Sequence, residues 1–445
     1  MKVSVVGTGY VGLVSGVCLA EMGHHVTCVD VDSDKVERIN RGDTPIHEEG
    51  LATLLRRHVG RRLCATTCLS SAVRNSEMTI VAVGTPFNGE HIDLSYIRHA
   101  AHAIGEALRG VQTYHVIVVK STVVPGTTDD VVRPLLEEAS GRRAGVDFGV
   151  GMNPEFLTEG VAVHDFMEPD RIVLGGMDER TLDMLARLYA PFTNVPILRT
   201  NNKTAEMMKY AANSLLATLI SFSNEIGNLC TRLGGIDAAE VMSSVHLARY
   251  FTMLLKDGTQ IIAPITSFLC AGCGFGGSCL PKDVKALIKH GELMGSPLSL
   301  LETVMQINLK QPSRVIEILE QHFRSLRGLR VSILGLAFRP NTDDVRESPA
   351  IPIIRALLEH GAIVSAYDPV AAESAKRLLP SDQIVFVDKL ESALKGVDAT
   401  VLVTSWDEFR RVPEILAGME MQPLVVDGRR MLDKRQVSRY TGIGM

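Results

Sequence analysis

Hydrophobic and polar positions along the chain follow two periods. In residues 1–198, short apolar runs of strand character alternate with helical stretches, the runs falling at 1–6, 25–30, 78–83, 116–119, 148–151 and 171–174. From 202 to about 232 the period becomes helical, with Met208, Ala211, Leu215, Leu219, Phe222, Ile226 and Leu229 recurring and no proline until Gly234-Gly235 ends the pattern. Such a helix runs roughly 45 Å, long enough to bridge two lobes and offer a second face to a partner subunit. Strand character returns at 330–335, 362–368, 397–404 and 423–427, with a helix over 349–360. The pattern predicts an α/β protein with two doubly wound parallel-sheet lobes around a helical centre.

The first strand runs directly into Gly7-Thr8-Gly9-Tyr10-Val11-Gly12, which opens a helix to about Met22, and the second strand ends in Asp30. Strand, G-x-G-x-x-G, helix and a following acid in register make a Rossmann-like dinucleotide site. The glycines let backbone N–H groups approach a pyrophosphate, and Asp30 accepts from the ribose hydroxyls. Asp30 and Asp32 repel a 2′-phosphate, so the pattern selects NAD over NADP. In a parallel doubly wound sheet the loops after the strands form the crevice, which places Gly84-Thr85-Pro86, Lys120-Ser121-Thr122 and Asn153-Pro154-Glu155 around the nicotinamide end. The C-terminal unit is a degenerate Rossmann-like fold without the glycine triplet, and its crevice suits something other than a second dinucleotide.

The segment Gly274-Phe275-Gly276-Gly277-Ser278-Cys279-Leu280-Pro281-Lys282-Asp283 sets a cysteine in a glycine-walled turn, followed by a lysine and an aspartate. A thiol there can act as a nucleophile, with the ammonium favouring thiolate or an oxyanion and the carboxylate orienting the lysine or a water. A glycine turn holding a buried cysteine explains the same residues. Cys270 and Cys273 form a C-x-x-C, but without a second pair or matching histidines it predicts no metal site. A disulfide from Cys270 or Cys273 to Cys279 under oxidation is a milder reading. Glu206, Lys209 and Asn213 share one face of the long helix, and the ordinary reading of three such residues is a solvated stripe.

Composition narrows the class. With 445 residues, 46% hydrophobic and 22% charged, the chain suits two or three globular domains. A net charge of −5 without a long basic run argues against nucleic-acid or membrane-surface binding. The first strand starts beside Met1, leaving no room for a signal peptide, no apolar run approaches a membrane span, and eight irregularly spaced cysteines suit reduced thiols. The expectation is a cytoplasmic protein.

Several ordered motifs together resemble the UDP-glucose/GDP-mannose dehydrogenase family over essentially the whole chain. They are the Gly7–Gly12 turn with Asp30, Gly84-Thr85-Pro86, Ser121-Thr122 with Pro125-Gly126-Thr127-Thr128, and Asn153-Pro154-Glu155-Phe156-Leu157 with Glu159-Gly160. Glu206, Lys209 and Asn213 follow, then the cysteine turn, residues 341–348 and Asp427-Gly428-Arg429-Arg430. The cysteine turn is similar to the UDP-glucose and GDP-mannose branches more than to the UDP-N-acetyl-sugar branch. The resemblance implies two Rossmann-like domains joined by a long central helix and a helical dimerisation region, with borders at 1–200, 201–310 and 311–445. It implies NAD-dependent, four-electron oxidation of a nucleotide sugar at C6, UDP-glucose favoured, by a homodimer or higher homo-oligomer.

Residue by residue, the resemblance makes Cys279 the nucleophile, with Lys209, Asn213 and Asp283 around the oxyanion and water. Glu155 becomes the general base, and Thr122 assists through a water. The implied NAD contacts are Gly7, Gly9, Tyr10, Val11 and Gly12, then Asp30, Lys35, Thr85, Thr122, Glu159 and Arg346. The implied nucleotide-sugar contacts are Phe156, Leu157, Lys209 and Asn213, then Arg249, Phe268, Gly272, Phe275 and Gly276, and finally Arg339 and Arg430. Arginine suits a diphosphate because its planar fork binds bidentately. Two departures stand out: Arg339 replaces the lysine usual in UDP-glucose members, and the segment between Arg249 and Phe268 is lengthened around a turn-like Lys256-Asp257-Gly258. Same-class alternatives are GDP-mannose 6-dehydrogenase or another UDP-hexose dehydrogenase. A non-catalytic NAD-sensing module is the alternative of a different class.

Overall fold

The computed structural model describes all 445 residues, which form two compact units, Met1–Ala212 and Asn213–Met445. The first is built on an eight-stranded sheet in the order β3-β2-β1-β4-β5-β6-β7-β8. Its strands are β1 Lys2–Val6, β2 His25–Val29, β3 Leu63–Thr66, β4 Met78–Val81, β5 His115–Val119, β6 Phe148–Met152, β7 Ile172–Gly176 and β8 Ile197–Thr200. Val3 and Val5 pack on one face with Leu13 and Val17 of the first helix, Tyr10–Glu21, while Val6 packs on the other with Val81 and Ile104. Burial on both faces is why these strands read as continuous apolar runs.

Neighbouring strands run parallel, except that β7 runs antiparallel to β6. The sheet is doubly wound as expected, and the antiparallel β6–β7 pair is a local departure from the parallel pattern. A parallel return needs a crossover that spans the sheet. The chain after β6 instead builds the Glu155 loop and only a short helix, Ala162–Met167, before β7. The three predicted crevice loops follow β4, β5 and β6, all parallel, so they share one end of the sheet.

At the end of β1 the backbone closes tightly. Gly7 sits at φ +96°, and a Cβ there would lie 2.7 Å from the Ala82 carbonyl oxygen. A Cβ on Gly12 would lie 1.9 Å from the Gly7 carbonyl oxygen, whereas one on Gly9 meets nothing within 4 Å. Two glycines therefore serve packing and the middle one leaves space above the helix N-terminus, where no side chain caps.

The long helix is Asn202–Leu233, one residue from the predicted end. Its buried positions include the polar Asn202, Glu206, Lys209, Asn213, Ser214, Ser221, Ser223 and Asn224 beside the apolar Ala205, Tyr210, Ala217 and Cys230. Leu215, Phe222, Leu229 and Leu233 are exposed, so the apolar stripe found by periodicity faces outward and the solvated-stripe reading of Glu206, Lys209 and Asn213 is overturned. No helix is long and apolar enough to cross a membrane.

The second unit continues from Asn213 through helices Ala238–His246, Leu280–Leu293, Ser299–Lys310 and Ser313–His322 into a six-stranded sheet. Between the first two helices the lengthened segment forms a hairpin, β9 Thr252–Leu254 and β10 Gln260–Ile262, with Gly258 at φ +85° in its turn. The sheet strands are β11 Arg330–Leu334, β12 Ile363–Tyr367, β13 Ile384–Phe386, β14 Ala399–Leu402, β15 Leu424–Asp427 and β16 Tyr440–Gly442. They are all parallel, in the order β13-β12-β11-β14-β15-β16. The acid after its second strand repeats the first unit's device: Asp368 accepts from the Leu336 and Ala337 amides at 2.7 and 3.1 Å, as Asp30 accepts from the Thr8 amide at 2.8 Å.

The glycine spacing predicts a split outcome. Gly12→Ala should lower Tm by about 5 °C or more through backbone overpacking. Gly9→Ala should leave Tm unchanged while weakening NAD binding on the order of tenfold. Calorimetry and NAD titration of both variants check this, and equal Tm losses would refute it.

Candidate active site

The dinucleotide end of the first unit is assembled from backbone. Asp30 accepts from the Thr8 amide and, at 2.5 Å, from the Thr8 hydroxyl, and its other oxygen accepts from the Asp32 amide at 3.1 Å. Burial alone would raise this carboxyl, but those hydrogen bonds hold it below the usual range, so it is an ionised acceptor. The open space at Gly9, the uncapped helix N-terminus and Asp30 together suit a dinucleotide. Thr85 donates its hydroxyl to the Thr122 carbonyl at 2.8 Å, joining the loops after β4 and β5. Lys35 is partly exposed, 4.0 Å from Asp32. Tyr10 donates to buried Glu48, which also accepts from the Gly160 amide at 2.8 Å and the Ala162 amide at 2.7 Å. Glu48 thereby ties the glycine turn to the Glu159-Gly160 loop.

Three charges are buried together beyond β5 and β6. Lys209 lies 3.1 Å from Glu155 Oε1, and both side chains are about 5% exposed or less. The Leu157 amide donates to Glu155 Oε2 at 2.6 Å. Desolvation would push the Glu155 carboxyl up, but Lys209, the Leu157 amide and the charge of Lys120 outweigh it and hold it below its ordinary value. Lys120 is itself buried and donates to Asn153 Oδ1 at 2.9 Å. Desolvation lowers its ammonium to about 8, against the opposing pull of Glu155. The Phe156 ring lies between Lys209, 5.5 Å from its centroid, and Arg171, at 3.9 Å. Glu206 anchors the neighbouring loop by accepting from the Gly126 and Thr128 amides at 2.6 and 2.8 Å, and burial raises its carboxyl to about 7.

In the second unit the cysteine turn is held by backbone contacts that need glycine. A Cβ on Gly276 would lie 2.2 Å from the Glu347 carbonyl oxygen, and one on Gly277, at φ +86°, would lie 2.6 Å from the Phe338 ring. The Gly277 amide donates to the Arg346 carbonyl at 2.9 Å. Asn308 brackets Phe275, accepting from its amide at 2.8 Å and donating to its carbonyl at 3.0 Å. Cys279, half-buried, is the N-cap residue of helix Leu280–Leu293, whose N-terminal end favours negative charge. Asp283, in the first turn of that helix, accepts from Asn213 Nδ2 at 2.6 Å and from Lys282 Nζ at 2.6 Å. The predicted Cys279, Asn213 and Asp283 thus belong to one unit, and Glu155 and Lys209 pair in the other.

Other predicted contacts have mainly architectural partners. Phe275 is buried against Ala217, Val284 and Val304. Gly272 is pinned between Asn224 and Gln311, and a Cβ there would meet the Gly428 carbonyl oxygen at 2.8 Å. Arg430 grips both oxygens of Asp237 at 2.7 and 2.8 Å. Its neighbour Arg429 instead reaches the turn, donating to the Gly274 carbonyl at 2.9 Å and to the Val403 carbonyl at 2.6 Å. Arg346 pairs with Asp344, Arg339 is half-buried after β11, Phe268 ends a short helical turn Pro264–Phe268, and Arg249 is exposed. Cys273 is buried with its sulfur 3.7 Å from the Val403 carbonyl oxygen, and Cys270 is exposed. No three His, Cys, Asp or Glu side chains are grouped to hold a metal ion. The sequence placed Lys120 in a crevice loop and Arg429 in a motif without assigning either a role of its own, and it did not single out Glu48. Lys120 had a signal, a lysine ending an otherwise apolar buried strand, whereas Glu48 had none.

Sequence models of the UDP-glucose/GDP-mannose dehydrogenase family match in three segments: the NAD binding domain over residues 1–193, the central domain over 203–310 and the UDP binding domain over 332–434. A UDP-glucose 6-dehydrogenase of Haloferax volcanii is 42% identical, with all of both chains covered. Another, of Bacillus subtilis, is 41% identical over 99% of this chain and 92% of its own. The solved UDP-glucose dehydrogenase of the archaeon Pyrobaculum islandicum superposes with a TM-score of 0.89 at 39% identity, covering 99% of this chain and 97% of its own. The NAD fingerprint, the nucleotide-binding second sheet and these end-to-end matches lead to one conclusion: the chain belongs to the UDP-glucose/GDP-mannose dehydrogenase family, NAD-dependent dehydrogenases of nucleotide sugars.

Proposed function

We propose that this chain oxidises UDP-glucose at C6 to UDP-glucuronate, consuming two NAD and one water. The observation that carries the reading is Cys279 at a helix N-terminus, in the same first turn as an Asp283 hydrogen-bonded to Asn213 at 2.6 Å. Relatives of nearly equal length named UDP-glucose 6-dehydrogenase support the choice of sugar.

NAD held at the glycine turn would supply the hydride acceptor for each oxidation. Loss of a hydride from C6 and a proton from O6 gives an aldehyde, which Cys279 Sγ attacks to form a thiohemiacetal. Loss of a second hydride leaves a thioester, and water cleaves its C–S bond to give the carboxylate and return the thiol. Asn213 spends one amide proton on Asp283 and offers the other to the oxyanion, with Lys209 supplying charge. Glu155, kept ionised by its cationic neighbours, takes the proton of the hydrolytic water, and Thr122 helps hold that water. Gly7 to Gly12, Asp30 and Thr85 would hold the cofactor. The C-terminal sheet holds the nucleotide, for which Arg339 is the candidate diphosphate ligand.

We also propose a homodimer formed along the outward apolar stripe of Asn202–Leu233, where Leu215, Phe222 and Leu229 repeat every seven residues and are 47–54% exposed. Eight cysteines, all free thiols, suit a reducing compartment, so we place the reaction in the cytoplasm.

The stoichiometry tests the chemistry. Incubated with NAD and a panel of nucleotide sugars, the enzyme should release two NADH per UDP-glucose consumed. One NADH per sugar defeats the four-electron reading, and preference for GDP-mannose defeats the substrate choice. Cys279→Ser should cut turnover on the order of 10³-fold or more while NAD affinity and Tm stay unchanged. Near-normal turnover by that variant removes Cys279 from the mechanism. Light scattering should give a dimer mass, and a Phe222→Glu, Leu229→Glu variant should give a monomer. A wild-type monomer ends the assembly proposal.

A further inference from the structure

Lys120 is a buried ammonium that ordinary stability does not explain. It closes β5, beside the Asn153-Pro154-Glu155 segment that closes β6, and the Asn153 amide donates to the Val119 carbonyl at 2.9 Å. Its ammonium touches no carboxylate, and its hydrogen bond goes to the neutral Asn153 Oδ1, which also accepts from the Tyr189 hydroxyl at 2.5 Å. Asn153 Nδ2 in turn donates to the Val173 carbonyl at 2.9 Å. The remaining neighbours are the Phe166 ring, 5.8 Å away, and the Glu155 and Lys209 charges. An apolar side chain of similar length would fill this place without desolvating a cation.

We propose that Lys120 is a positioning residue for Glu155, anchoring Asn153 so that the following backbone aims the carboxylate and supplying a second positive charge that keeps it ionised. The proposal rests on the reading of Glu155 as the base of the reaction. With Lys120 present, the buried group carries two ammonium charges and one carboxylate, so Glu155 resists protonation even though it is dry. Taking one charge away raises the pH at which Glu155 loses its proton. A base works above that pH, so the acid limb of the rate profile moves upward.

Lys120→Met and Lys120→Gln both remove the charge, and the glutamine retains a donor for Asn153. In both, the acid limb of kcat should move up by about one pH unit, with KM for the nucleotide sugar within about twofold of wild type. Lys120→Arg should keep the limb at its wild-type position. A limb unmoved in both neutral variants, or an equal loss of rate at every pH, overturns the proposal. A second readout is independent of turnover: the ¹³C carboxyl titration of Glu155, assigned by its disappearance in Glu155→Gln, should have a higher midpoint in Lys120→Gln than in wild type. Equal midpoints overturn the proposal even if another sugar proves to be the substrate. A raised midpoint with an unmoved acid limb overturns the proposal through its premise: it removes Glu155 as the rate-controlling base, whereas equal midpoints remove Lys120 as the group that holds Glu155 ionised.

Discussion

The cost of holding charge away from water governs the architecture around the candidate site. Glu155, Lys209 and Lys120 are nearly inaccessible, and an isolated ion in such a place would simply neutralise. Each is kept charged by another, so none can be understood alone. The same constraint explains why the long helix turns its polar stripe inward. Glu206, Lys209 and Asn213 recur at helical spacing on the side where amides and carboxylates await them, sharing it with buried Ala205, Tyr210 and Ala217, while Leu215, Phe222 and Leu229 face outward.

Close backbone approach is the second organising device, and it gives the glycines different duties. Gly7 and Gly12 are needed because carbonyl oxygens occupy the place of a side chain, whereas Gly9 leaves open space above the helix N-terminus. In the cysteine turn, Gly276 and Gly277 belong to the first kind: the wall of the thiol site is protein backbone and the Phe338 ring. The sequence shows the glycines but not which duty each performs, since for Gly7, Gly276 and Gly277 that depends on residues far along the chain, Ala82, Glu347 and Phe338.

Local patterns carried much of the fold. Ten of the sheet strands, the first helix, the long helix and the Asp30 and Asp368 acids were legible because each depends on short-range periodicity or on a motif of fixed spacing, whereas the short strands β3, β8, β13 and β16 were not. The reversal of β7 was not, since direction is decided by what the intervening chain must build rather than by the strand's own residues. The hairpin β9–β10 was visible only as extra length and a turn, because its strands are three residues each. In the site, Cys279, Asn213 and Asp283 stand out through their motifs, and the structure adds the 2.6 Å bond that couples two of them. The duties of Arg429 and Arg430 could not be separated by reading adjacent arginines. One reaches Gly274 and the other Asp237, a choice made by a left-handed backbone at Arg430, φ +53°.

The loop over residues 338–347 lies directly on the cysteine turn, and two of its non-glycine residues, Asn341 and Glu347, hold left-handed backbone at φ +63° and +52°. Such conformations persist only where surrounding contacts over-determine them. The turn has no slack in which to absorb a shift of that loop, because Gly276 and Gly277 already touch it. A displacement of residues 338–347 would have to move the backbone that carries Cys279, so the aim of the nucleophile is set by a loop well beyond it in the chain as much as by its own turn.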